Sequence, residues 1–233
     1  MDIIDISRNI IDNIEKLDDI IDSCFEPVKD LTDTASDIFA PVKAVNALYT
    51  FNKKRKFKKF LKSYALGLNE YGSNALSDAE KLKTYLKEEK NFNFLTDTIE
   101  NAINSKSVFG SMILGYYAGQ ILSEAKAVSY KDLIIIEGIK ELNDIELSCF
   151  VRIYNRADLS KMVSFEELKL GGYEFFSKLA IEKLIQLRFI IKDHNVYHGS
   201  GMSYNFTSTD IAEDVFFLIR DIGINDELMN YQY

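Results

Sequence analysis

The chain has 233 residues, 47% of them hydrophobic and 27% charged, with a net charge of -8. This composition predicts a globular protein with one large or two small cores and excludes a wholly disordered chain. The two cysteines, Cys24 and Cys149, lack metal-ligand spacing and sit among apolar residues, which predicts reduced structural thiols rather than a disulfide framework.

Charge is laid out unevenly from the first residue. Residues 1–40 carry eleven acids and three bases, whereas residues 41–67 carry eight bases and no acid. Within the acidic part, Ile3, Ile6, Ile10, Ile14, Leu17, Ile21 and Cys24 recur at steps of three and four. At about 100° per residue they form one stripe of a helix, with Asp5, Asp12, Glu15, Asp19 and Asp22 pointing away. Such a stripe must be buried, either in a bundle core or against another helix. Ile3, Ile10, Ile14, Leu17 and Ile21 are therefore candidates for a helix-pairing seam, within the chain or between copies. The acidic back disfavours a membrane surface, where interfacial helices carry Lys and Arg. Asp2, Asp5 and Asp12 also interrupt any signal-peptide apolar core, so a cytoplasmic protein is expected.

The only two prolines lie in a short echo, Phe25–Leu31 and Phe39–Val45, of the form F-x-P-V-K-x-apolar. Each proline is well placed to open a helical turn, where its missing N–H costs nothing. Next comes a basic amphipathic helix, with Phe57, Phe60, Leu61, Tyr64 and Leu68 on one face and Arg55, Lys58, Lys59 and Lys62 opposite. Lys53, Lys54, Arg55, Lys56, Lys58, Lys59 and Lys62 are candidate contacts to an anionic partner, a membrane surface or nucleic acid. The same pattern also fits a solvated face over a packed aromatic stripe.

Gly67 and Tyr71–Asn74 predict a helix end and a loop. Ser77 with Glu80 forms a capping box opening a helix to about Lys90, and Phe94, Leu95, Ile99 and Ile103 continue the helical period. The seventeen residues Ser107 to Ser123 are uncharged, the lower limit of a membrane span at roughly 17 residues. Ser111, Gly115 and Gly119 recur every four residues, a row of small side chains that admits close helix packing. A buried helix at the centre of a bundle is expected, because no second span accompanies it and Gln120 and two tyrosines lower its hydrophobicity.

From Lys131 onward the elements are shorter. Helices are expected over Asp132–Leu142, over Asp144–Asn155 with Asn143 as cap, and over Tyr173–Leu187. Arg188–Lys192 has strand character, Asp193–Gly201 reads as a polar loop, and Met202–Phe206 alternates as a return strand. Thr207–Asp210 caps a last helix through Val215, Phe216 and Ile219. The passage Leu184-Ile185-Gln186-Leu187-Arg188-Phe189-Ile190, followed by Tyr204-Asn205-Phe206-Thr207-Ser208-Thr209-Asp210, resembles the recognition helix and wing of the winged-helix superfamily. That resemblance covers the last third to two fifths of the chain and implies a DNA-binding use in many members. Here Glu174 and Glu182 balance Lys178 and Lys183, and Asp193–Gly201 holds no Lys or Arg. A phosphate backbone demands cations, so protein contact is the expected use of this region. The overall style also resembles uncharacterised proteins of bacterial mobile and antiphage elements.

Catalytic and cofactor motifs are not recognisable in the sequence. His194 and His198 have only Asp193 near them, short of the three or four convergent ligands of a metal site. Arg188 and His194 match the loose Arg-x5-His spacing of HEPN ribonucleases, but Phe189 follows the arginine where that family usually has a polar residue. The expected fold is mainly α: an N-terminal helical bundle over 1–128 and a winged-helix-like α+β domain with a small β-hairpin over 129–233. The expected function is a non-enzymatic regulatory or adaptor protein without cofactor, acting on a protein partner that is itself or another chain. A membrane-directed effector using the basic and Gly-rich helices, and a DNA-binding regulator, are the alternatives.

Overall fold

The computed structural model describes residues 51–69, 88–124, 126–155, 163–164, 174–198 and 201–231. The isoleucine seam, both prolines, Cys24 and the Ser77–Glu80 capping box lie outside them. The described residues are mainly helical and fall in two compact units, Met1–Tyr130 and Lys131–Tyr233.

The first unit contains α1 (Phe51–Asn69), α2 (Glu89–Asn104) and α3 (Val108–Ser123). Helix α3 is apolar around its whole circumference, and Ile113, Leu114, Tyr116, Ala118, Ile121 and Leu122 are all buried. A helix of that kind belongs in a core. Its N-terminus is closed by Ser107, whose Oγ accepts from the Gly110 N–H at 2.9 Å. Around that cap the buried hydroxyls are satisfied: Ser111 Oγ donates to the Ala102 carbonyl at 2.7 Å, and Ser105 Oγ donates to the Ser107 carbonyl at 2.5 Å. No helix among the described residues is long and apolar enough to cross a membrane.

Two boundaries in this unit differ from expectation. Lys90 does not close a helix; it lies in the first turn of α2, which starts after an extended Glu88. The apolar row Phe94, Leu95, Ala102 and Ile103 is buried and holds α2 in register from there. Gly67 does not end α1, which runs on to Asn69. Packing against α3, described below, accounts for that glycine.

The second unit contains α4 (Tyr130–Glu141, whose first residue belongs to the other unit), α5 (Asp144–Asn155), β1 (Val163–Ser164), α6 (Glu174–Gln186), β2 (Ile190–His198), β3 (Gly201–Ser208), α7 (Asp210–Asp221) and α8 (Asn225–Met229). The sheet is antiparallel in the order β1-β3-β2, with Val163 opposite Tyr204 and Ile190 opposite Ser208. Residues 193–198, expected as loop, belong to β2; an irregularity between Lys192 and Asn195 breaks the two-residue alternation that would have revealed the strand.

Arg188 is not in the strand. It has φ 65°, the left-handed position just after α6, where the Phe189 N–H donates to the Leu184 carbonyl at 3.0 Å and the Arg188 N–H to the Ile185 carbonyl at 3.1 Å. This is a Schellman closure built on a residue other than glycine. Helix α7 ends the same way with Gly223 at φ 79°, the Ile224 N–H reaching the Ile219 carbonyl at 3.2 Å, so the last amphipathic helix is followed by the short α8. Thr209 caps the start of α7 by accepting from the Ala212 N–H at 3.2 Å, and its hydroxyl donates to the Arg188 carbonyl at 2.6 Å. The core gathers Ile135, Ile139, Leu147, Phe150, Leu184, Phe189, Val215 and Ile219, all essentially inaccessible. Within it Cys149 is a free thiol, and burial pushes its pKa up to about 12. A thiol so protonated is a poor nucleophile near neutral pH.

Candidate functional site

Seven of the candidate cations sit on α1, and α3 decides which way they face. Phe57, Phe60, Leu61 and Tyr64 are buried, with Phe60 and Tyr64 stacked at 5.9 Å. The two helices touch through backbone. A methyl group on Gly115 would overlap the Phe60 carbonyl, one on Gly119 the Tyr64 carbonyl, and one on Gly67 the Tyr116 carbonyl. Glycine is thus needed on both helices, because a side chain at any of these points would meet main chain that has no freedom to yield. Ser111 lies one turn before Gly115 and is tied to Ala102 of α2 rather than left as a mere small residue.

The cations are then divided. Lys56 donates to the Ser105 carbonyl, and Lys54 and Lys58 also engage other groups of the chain. Arg55 and Lys62 are exposed, and Lys53 and Lys59 are half-buried. Arg55, Lys59 and Lys62 share one stripe of the helix, opposite the stripe that meets α3. Ile3, Ile10, Ile14, Leu17 and Ile21 lie outside the described residues.

In the second unit, α6 carries a short exposed row of Lys178, Leu179, Glu182 and Gln186, with Leu179 45% exposed. Lys183 is not part of it. Its ammonium donates to Glu146 Oε2 at 2.8 Å and to the Glu141 carbonyl at the end of α4. Glu146 is itself held, because its Oε2 accepts from the Asn143 N–H at 2.8 Å while Asn143 Oδ1 accepts from the Glu146 N–H at 2.9 Å. This reciprocal cap opens α5. The Lys183–Glu146 pair therefore joins α4, α5 and α6, the ammonium reaching α4 and the carboxylate belonging to α5. Glu146→Ala removes the carboxylate half of the cap and leaves Lys183 partly buried without its anion, and a loss of about 2–3 kcal/mol is expected in chemical denaturation. Glu146→Gln should recover part of it by restoring the cap.

Comparison with protein-family models, curated proteins and solved structures finds no match.

His194 and His198 lie in β2. Among the described residues no three His, Cys, Asp or Glu side chains gather where they could hold a metal ion. Sequence reasoning missed Gly67 as a packing residue and the Glu146–Lys183 junction. The first was hidden because a glycine near a helix end reads as a cap, although Gly67, Gly115 and Gly119 together are an audible signal once α1 and α3 are paired. The second had half a signal in Asn143 and Glu146, three residues apart. Lys183 joins them only through the tertiary fold.

Proposed function

We propose that the chain is a non-enzymatic adaptor whose C-terminal unit is a winged-helix-like module that works through protein contacts. The fold half of this reading is supported by the order α5, β1, α6, β2, β3, a helix leading into an antiparallel hairpin that a third short strand completes. The functional half rests on the outer row of α6. With Lys183 committed to Glu146 and Glu141, that row presents Lys178 against Glu182 and an exposed leucine between them. Phosphate recognition requires a surplus of cations, whereas an apolar anchor in a polar rim suits a protein partner. The membrane-directed alternative has less support: interfacial helices bury their apolar face in the bilayer, and Phe57, Phe60, Leu61 and Tyr64 of α1 are already buried in the chain.

A photo-crosslinking residue in place of Leu179, activated in the native cell, tests this. One discrete protein adduct is expected, and Glu182→Arg should abolish it. Crosslinks to nucleic acid, or adducts no different from those formed at the exposed Glu227 of the same unit, would overturn the reading.

A further inference from the structure

We propose that the outer stripe of α1, formed by Arg55, Lys59 and Lys62, is a contact surface for the phosphate backbone of double-stranded nucleic acid, bound without regard to base sequence. The inference is independent of the role given to the C-terminal unit, since it rests only on α1 and its packing on α3.

Three observations lead to it. First, the stripe is presented on a rigid support. Gly67, Gly115 and Gly119 bring the backbones of α1 and α3 into contact, so the helix cannot roll to hide its cations without breaking that contact. Arg55 and Lys59 are about 6 Å apart along the axis and Lys59 and Lys62 about 4.5 Å, from a rise of about 1.5 Å per residue. The three span about 10 Å, the axial length of about four successive phosphates of one strand at about 3.4 Å per interval. Second, no acid occurs between residues 41 and 67, so the stripe has no carboxylate of its own helix to neutralise it. Residues 1–40 carry the opposite excess, eleven acids against three bases, and lie outside the described residues; at physiological salt those of their charges beyond about 8 Å are largely screened from the stripe.

Third, the chemistry of the stripe separates the polyanions. A bilayer surface would be engaged through an apolar flank as well as charge, and Phe57, Phe60, Leu61 and Tyr64 are all buried, while Leu66 is exposed at the end of the stripe. Single-stranded nucleic acid is held by aromatic side chains on which bases stack. The same burial removes Phe57, Phe60 and Tyr64 from that role. Cations whose neighbouring Phe57, Phe60 and Tyr64 are buried, with Leu66 exposed beside them, fit a duplex backbone, where counterion release by Lys and Arg supplies the affinity.

The test uses the full-length protein and a fluorescently labelled 30-base-pair DNA duplex of arbitrary sequence. Binding by anisotropy is expected at 50 mM salt, with a slope of log affinity against log salt of about −2.7 for three phosphate contacts, and so about 40-fold weaker binding at 200 mM. The variant Arg55→Gln/Lys59→Gln/Lys62→Gln should bind at least tenfold more weakly while keeping the wild-type melting temperature, because Arg55 and Lys62 are exposed and Lys59, half-buried, keeps most of its side-chain stem as glutamine. Lys178→Gln should bind as wild type does, which separates this surface from the C-terminal unit. Absence of binding at 50 mM salt, equal binding by the triple variant, or tighter binding to vesicles of phosphatidylserine and phosphatidylcholine than to the duplex would each overturn the proposal.

Discussion

Replacing Gly115 by alanine is expected to destabilise the first unit by about 2–3 kcal/mol, although the same change in an exposed helix is stabilising. The helix propensity of alanine favours the substitution by about 1 kcal/mol. Against this, the new methyl group falls on the main-chain carbonyl of Phe60, an atom held in the hydrogen-bonded backbone of α1. Overpacking of a well-filled interior costs typically about 1–3 kcal/mol and more when the obstacle is rigid. The two helices must separate, and the contacts of Ile113, Tyr116 and Phe60 weaken together. Gly115→Leu should abolish the cooperative transition of that unit. Gly67→Ala, on the opposite helix, should resemble Gly115→Ala because it meets the Tyr116 carbonyl. The contrast is Gly138→Ala in the second unit, where the methyl would meet Cε2 and Cζ of Phe189 at 2.9 Å, the far end of a side chain that can tilt. Its expected cost is smaller, about 1 kcal/mol. Calorimetric melting of the three alanine variants distinguishes the cases, and a Gly115→Ala protein that melts at or above the wild-type temperature would show that α1 and α3 do not meet through their backbones.

Phe189→Ala is expected to cost about 3–5 kcal/mol, the largest single loss in the second unit. The ring is fully buried, lies 5.5 Å from the ring of Phe150 and covers Gly138. Its removal opens a cavity bordered by α4 and α5, which backbone elements cannot collapse to fill. The position carries a second duty: Phe189 follows Arg188 in the left-handed turn, and burial of its ring is what draws the chain into that turn. A non-glycine residue with positive φ costs roughly 1–2 kcal/mol, so packing of the next residue must offset the strain. Arg188→Gly should accordingly raise stability by up to about 1 kcal/mol. Equilibrium urea unfolding of both variants reads the two effects with opposite signs. Should Arg188→Gly destabilise instead, the guanidinium would have to be making a contact worth more than the strain.

What could be read from the sequence was whatever a local pattern dictates. The uncharged run Ser107–Ser123 demanded a buried helix because no face of it tolerates water, and its row of small residues announced close packing before any partner was known. Asn143 and the run Thr207–Asp210, of which Thr209 makes the contact, were legible as caps since short polar side chains before an apolar period have few other uses. The amphipathic stripe of residues 57–64 was equally plain.

What only the tertiary structure decided was the meaning of residues whose local signals are ambiguous. Gly67 looks like a helix terminus until α3 is laid against it; the contact with the Tyr116 backbone then makes it an interior residue. Arg188 looks like strand because nothing local predicts a left-handed arginine, which the burial of Phe189 imposes from outside. The strand through residues 193–198 escaped notice because an irregular register destroys the alternation by which strands are recognised. The basic run was visible as seven cations of one kind, yet packing divided them, turning Lys56 toward the Ser105 carbonyl and leaving Arg55 and Lys62 toward solvent. Among the described residues, sequence alone determined which of the longer segments are helical and where charge accumulates, because those depend on neighbours three or four residues away. Which charges and which glycines matter was set by contacts between residues tens of positions apart, and those contacts exist only once α1 has been placed against α3 and Lys183 against Glu146.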